Sequence, residues 1–290
     1  MFDTEAVSIS GLSRRQFLGL GAGAALGAVL GAGGQVAKAN SARIIRHVYT
    51  NARKVCLTYD DLWSEYYTLR FGREYSRHNV GLTLFPVGLA VKNNLDRPHA
   101  GYENLYPRLR DMGHEFGCHL FTHRDIRNFG LQQLIDEEME PTLHVMRRAL
   151  GPAFQPVGLR PPYGVVTDAV QELSARYGIP LILWGLDSQD AICTKQSESG
   201  DCECDPPPSF VSYASVWGPD PRDVMCTQEQ CLESCIDAIV NSYEHYLRPG
   251  TIILHHALKA AFLAIPSTLR LLRAWNMQPI RFSELLHYAS

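Results

Sequence analysis

Short apolar or β-branched runs recur along this chain at 54–59, 82–87, 115–119, 157–160, 180–186, 251–256 and 278–282, with helical patterns between them. Within 131–150, Leu131, Leu134, Ile135, Met139, Leu143 and Met146 return near the helical period, and 167–177 and 230–246 read similarly. Strands that alternate with helices run in the same direction, and the helices then cover the sheet that those strands form. The expected class is therefore α/β with a parallel sheet, open or closed into a barrel. No internal repeat of fixed period interrupts the pattern.

Two segments stand apart from it. Arg14 and Arg15 precede Phe17 and Leu18, a Gly/Ala/Leu stretch follows to about Gly34, and Ala37-Lys38-Ala39 ends in small residues. Basic pair, apolar run and small-residue site in that order read as a twin-arginine export signal over 1–39, which is excluded from fold reasoning. What remains, 40–290, is roughly 250 residues, a size that one α/β domain reaches without splitting. The chain is expected to leave by the twin-arginine export machinery for the periplasm or the exterior. No later apolar run is long enough to span a bilayer, so no stable membrane insertion is expected after cleavage. A formal net charge of −3 does not suggest nucleic acid or an anionic membrane as partner.

The second segment is 191–225, which carries three consecutive prolines at 206–208 together with Phe210, Tyr213 and Trp217. It reads as a structured insertion following a strand end, close to any site on that face of the sheet. Cys193, Cys202, Cys204, Cys226, Cys231 and Cys235 gather in and just after it. An even cluster in an exported chain reads first as disulfides, with a cysteine-bound metal as the alternative. Cys56 and Cys118 lie in apolar runs and read as small buried hydrophobes.

The chemistry-bearing residues recur where apolar runs stop. The first run ends in Thr58-Tyr59-Asp60-Asp61, the third in His119-Leu120-Phe121-Thr122-His123, the fourth in Arg160-Pro161-Pro162-Tyr163-Gly164. The fifth ends in Trp184-Gly185-Leu186-Asp187-Ser188-Gln189-Asp190, the sixth in Leu254-His255-His256. Parallel strands bring such ends to one face. Two imidazoles four positions apart, with one aspartate of the Asp60-Asp61 pair, form a facial donor set for a divalent cation. The other aspartate is then free to act as a base. Strand alternation puts Leu254 and His256 on one face and His255 on the other, so His256 is the candidate general acid and His255 a core residue.

Five strings in order resemble the motifs of the polysaccharide deacetylase family, carbohydrate esterase family 4. Thr58-Tyr59-Asp60-Asp61 matches Thr-Phe-Asp-Asp with Tyr59 for Phe. His119 to His123 matches His-(Ser/Thr)-x-x-His with Leu120 for the hydroxyl residue. Arg160 to Tyr163 matches Arg-x-Pro-Tyr, Asp187 and Asp190 match Asp-x-x-Asp-Trp with Ala191 for Trp, and Leu254 and His256 match Leu-x-His. The resemblance implies a distorted (β/α)7 barrel, with the cysteine-rich insertion near its active-site face. It implies Asp60 as general base oriented by Arg160, and His256 as general acid tuned by Asp190. Asp61, His119 and His123 would hold one divalent metal ion, zinc first, with cobalt, manganese or iron also accepted. Tyr163, Pro162, Leu254 and Trp184 fall on the substrate side, with the Tyr163 N–H facing the oxyanion and Leu254 bounding an acetyl-sized pocket. The implied activity is removal of N-acetyl groups from N-acetylglucosamine-containing polysaccharide: peptidoglycan, chitin-like chains or an exopolysaccharide. Leu120 and Ala191 depart from the sugar-groove pattern and keep in view an amidase or imidase for small C–N substrates; a non-catalytic carbohydrate binder that kept the groove is the third reading.

Overall fold

The computed structural model describes residues 43–191 and 229–289, apart from the side chains of 229–232 and 234. The export-signal reading of 1–39 and most of the insertion at 191–225 lie outside them, as do Cys193, Cys202, Cys204 and Cys226. Among the described residues, no helix is long and apolar enough to cross a membrane.

The centre of the fold is β2 (Lys54–Asp61), which is buried along nearly its whole length. Flanking it in parallel are β3 (Thr83–Pro86) and β7 (Ile252–His256). Beyond β3 lies β4 (Glu115–Phe116), beyond β7 lies β6 (Leu186–Asp187), and β8 (Gln278–Pro279) pairs with the start of β2. A separate parallel pair joins β1 (Ile44–Ile45) to β5 (Leu181–Ile182). All these ladders are parallel, as the strand–helix alternation requires.

Helices α1 (Glu65–Arg77), α2 (Gly88–Asp96) and α3 (Leu105–Asp111) fill the intervals between β2 and β4. The periodic stretch 131–150 is helical, as α4 (Leu131–Gln133), a π-helical turn over Leu134–Met139, and α5 (Glu140–Leu150). Then come α6 (Asp168–Tyr177), α7 (Glu229–Tyr246), α8 (Lys259–Ala274) and α9 (Phe282–Leu285). Local chemistry sets several ends. The Ser64 hydroxyl accepts the Tyr67 N–H to start α1, and Thr167 does the same for Val170 in α6, which stops at Gly178 in the left-handed region.

Two expected strands come out shorter. Run 157–160 is reduced to Leu159, which bridges Cys118 on one side and Leu181 on the other. Pro156 and Pro161 bound it and cannot donate to a ladder. Run 180–186 divides into β5 and β6 because the chain changes partners there, from β1 to β7.

Register separates the two faces of β2 and β7. Tyr59 and His255 pair and face the helices, where their rings stack at 4.8 Å beside Phe71 and Tyr75. The Tyr59 and Tyr75 hydroxyls bond at 2.9 Å, and His255 Nε2 meets the Tyr243 hydroxyl at 2.7 Å. Burial lowers the His255 pKa to about 4 against the pull of Asp190, so it stays neutral as a core histidine. Thr58, Asp60, Leu254 and His256 therefore share the opposite face.

Candidate metal and acid–base site

Asp60 and Asp61 are adjacent in a strand, where side chains should alternate across the sheet. Backbone conformation resolves this. Asp61 has φ 70°, and the Leu62 N–H reaches back to the Asp60 carbonyl at 2.9 Å, closing a tight three-residue turn. Alternation breaks there, and both carboxylates reach the same site. Leu62, Leu120, His123, Tyr163 and Gln189 also have positive φ without being glycine. Such conformations cost energy, and their gathering on the loops of this one face is characteristic of functional sites.

Asp61 Oδ1 lies 3.3 Å from His119 Nε2 and 3.1 Å from His123 Nε2. One ligand atom from each of the three lies within 4.8 Å of the others. Asp61 Oδ1 is buried and, among the described residues, has no partner with hydrogen-bond geometry. Burial alone would raise the Asp61 pKa, but the facing imidazoles outweigh it and hold it far below the usual carboxylate range. His119 donates Nδ1–H to the Arg160 carbonyl at 2.7 Å, which leaves the Nε2 lone pair turned toward Asp61. An orphaned carboxylate oxygen with two imidazole nitrogens converging on it fits a divalent cation.

Asp60 stands beside this triangle, its Oδ2 3.8 Å from His119 Nε2. Its other oxygen accepts from Arg160 Nη1 at 2.6 Å. Arg160 is fully buried and fixed on every side. Nη1 also donates to the Thr58 hydroxyl at 2.7 Å, Nε to the Ile182 carbonyl at 2.9 Å and Nη2 to the Leu183 carbonyl at 3.1 Å. Its guanidinium lies over the Phe85 ring at 4.1 Å and faces Trp184 at 5.8 Å.

His256 is the register partner of Asp60 on β7, so the two approach from neighbouring strand ends. Asp190 grips it twice, accepting the His256 N–H at 2.6 Å and meeting Nδ1 at 2.9 Å. The bond at Nδ1 leaves Nε2 as the outward atom. Burial works against the imidazolium, but Asp190, and after it Asp61 and Asp60, prevail and raise the His256 pKa to about 10. Asp190, in return, is lowered despite its burial by the His256 charge. Burial raises Asp187.

The expected substrate residues divide by exposure. Tyr163 is 61% exposed, with its ring 4.7 Å from that of His123. Leu254 is buried beside Thr58 and Asp187 in the ladders. Pro162 is buried, and Trp184 packs under the same loop, where a Cβ on Gly164 would lie 2.8 Å from its ring.

Sequence reasoning gave no role to two polar residues that hold this arrangement. Thr58 accepts from Arg160 and donates to the Ile253 carbonyl at 2.6 Å. Glu138, in the π-helical turn, is fully buried and accepts the N–H groups of Phe121 and Thr122 at 2.8 and 2.9 Å. Its place four after Leu134, among the apolar positions of 131–150, does not by itself mark it as buried.

Residues 47–182 match the family model described as polysaccharide deacetylase. The chitooligosaccharide deacetylase of Sinorhizobium fredii is 30% identical over 141 residues, which is 49% of this chain and 61% of that protein. The peptidoglycan-N-acetylglucosamine deacetylase PgdA of Listeria monocytogenes is 28% identical over 138 residues, 48% of this chain and 27% of that protein. The chain thus spans less than two thirds of the length of either. Among solved structures, a CE4 family pseudoenzyme from Bacillus anthracis matches with a TM-score of 0.63 at 19% identity, covering 85% of this chain and 69% of that one. At such identity the likeness concerns the fold alone. The family match takes in Asp60, Asp61, His119, His123 and Arg160, and residues 47–182 of this chain carry a polysaccharide deacetylase domain.

Proposed function

We propose that this protein hydrolyses N-acetyl groups on N-acetylglucosamine-containing polysaccharide, with Asp61, His119 and His123 holding one divalent cation, zinc first. The observation that carries the reading is the placement of Asp60 and His256 on adjoining strand ends beside the three-donor triangle. A cation bound there supplies Lewis-acid polarisation and makes water more acidic. Asp60, locked by Arg160, accepts the proton of the attacking water. His256, held protonated by Asp190, donates through Nε2 to the departing amine nitrogen. The Tyr163 N–H donates to the developing oxyanion, usually a large catalytic contribution. Leu254 bounds the acetyl methyl, and Pro162 and Trp184 support the loop. The exposed Tyr163 ring beside His123 suits an extended sugar chain better than a small enclosed amide.

The same reading extends to closure and location. Leu159 bridges both Cys118 and Leu181, and the chain from β5 runs on to pair β7 through β6, which supports a ring of strands closed as a distorted barrel. The basic pair and small-residue site in 1–39 support twin-arginine export to the periplasm or exterior. Cys235, disulfide-bonded at the edge of the cysteine-rich segment, supports disulfides there.

Mass spectrometry of N-acetylglucosamine oligomers and peptidoglycan fragments after incubation with zinc-loaded protein tests the activity. Loss of acetyl mass is expected; unchanged glycans with turnover of small cyclic amides would favour the amidase alternative.

The pairing of Asp190 with His256 has a pH signature. A general acid works while protonated, so activity falls as pH rises through its pKa. Asp190→Asn removes the charge that raises His256 from its ordinary value toward about 10. The alkaline limb of the kcat/KM profile is then expected to move to lower pH, with the acid limb in place. An alkaline limb shared by both proteins would show that Asp190 does not tune the acid.

A further inference from the structure

The loop that carries His119 and His123 is held from two sides. Helix α2 holds its carbonyls: Gly88 N–H donates to the Leu120 carbonyl at 2.8 Å and Leu89 N–H to that of Phe121 at 2.9 Å. The approach is close enough that a Cβ on Gly88 would stand 2.6 Å from the Phe121 ring and 2.8 Å from Thr142 Oγ1. Glu138 holds its amides. Oε2 takes the N–H groups of Phe121 and Thr122. Oε1 takes the Thr122 hydroxyl, and Arg124 through Nη2 at 3.0 Å and Nε at 3.3 Å. All of these partners donate, so one carboxylate gathers two amides, a hydroxyl and a guanidinium.

The loop needs such a hold. Leu120 and His123 each have φ 60°, a conformation these residues adopt only under constraint. Leu120 is fully buried and offers no hydroxyl to tie the turn. The helix itself is adapted to deliver the acid. It opens into a π turn over Leu134–Met139, closed by Glu140 N–H to the Ile135 carbonyl, while Thr142 Oγ1 donates to the Glu138 carbonyl at 2.7 Å.

Resting on the metal-site reading above, we infer that Glu138 is the positioning residue that sets the His119–His123 loop for cation binding. Partners that orient metal ligands typically change affinity by about 10–100-fold when lost. A residue that only stabilised the fold would lower the melting temperature and leave the affinity of the folded protein as it was.

The test is a competition titration of the metal-stripped full chain with zinc, comparing wild type, Glu138→Ala and Glu138→Gln. The alanine variant leaves two loop amides without an acceptor and is expected to bind zinc about 10–100-fold more weakly. The glutamine variant keeps an oxygen for those amides and is expected to recover most of that loss. Equal affinity in wild type and folded Glu138→Ala would overturn the inference while leaving the metal site standing. A wild type that takes up no zinc would overturn both. Should Glu138→Ala not fold, Glu138→Asp decides instead, because it keeps the charge but withdraws it by one methylene. About tenfold weaker binding is then expected, and wild-type affinity would refute the role.

Discussion

Replacing Asp60 with asparagine is expected to lower acetate release by about 10²–10⁴-fold, the range that a positioned proton acceptor contributes. Asparagine has nearly the shape of aspartate and can still accept from Arg160 Nη1, now 2.6 Å from the carboxylate. What it loses is basicity. Zinc uptake should persist, because the three converging donors belong to Asp61, His119 and His123. The fold should weaken too, since Arg160 is fully buried and would lose its only charged partner among the described residues; breaking a buried pair costs about 3–5 kcal/mol when nothing compensates. Steady-state kinetics with zinc titration and thermal melts on one preparation separate these effects. Near-normal turnover in Asp60→Asn would place the base elsewhere.

The second large effect concerns the cation. His119→Ala removes a donor whose orientation is fixed by its bond to the Arg160 carbonyl. Turnover is expected to fall to background and to stay there at any zinc concentration that saturates wild type. A ligand that binds only the folded state stabilises it by about 2.7 kcal/mol at one hundred times its dissociation constant. The wild-type melting temperature should therefore rise on adding zinc and fall back with chelator. His119→Ala should show almost none of this rise when measured against its own metal-free melt. A full zinc-dependent shift in the variant would mean that the ion binds at another place.

Much of this was legible because the functional residues punctuate apolar runs. Asp60, His119, Arg160 and His256 each follow buried strand or bridge residues, and parallel strands bring such ends together. The parity that separates His255 from His256 appears directly in the β2–β7 register. Other features had no one-dimensional signature. Nothing in Asp61-Leu62 announces a positive φ, yet that turn is what lets neighbouring aspartates share a site. Register also sets Asp60 and His256 side by side on adjoining strands. Glu138 escaped notice because an acid in an amphipathic helix ordinarily reads as solvated. Its burial follows from the loop amides that meet it, a tertiary contact that helical periodicity does not encode.

The central claim is spatial, and crystals of the zinc-loaded protein measured at the zinc absorption edge test it most directly. The account requires an anomalous peak bonded to Asp61, His119 and His123 at about 2.0–2.2 Å, the distances normal for zinc with nitrogen and oxygen donors, with Asp60 beside it and still bound to Arg160. An ion seated anywhere else, or no ion among these side chains at saturating zinc, would contradict it.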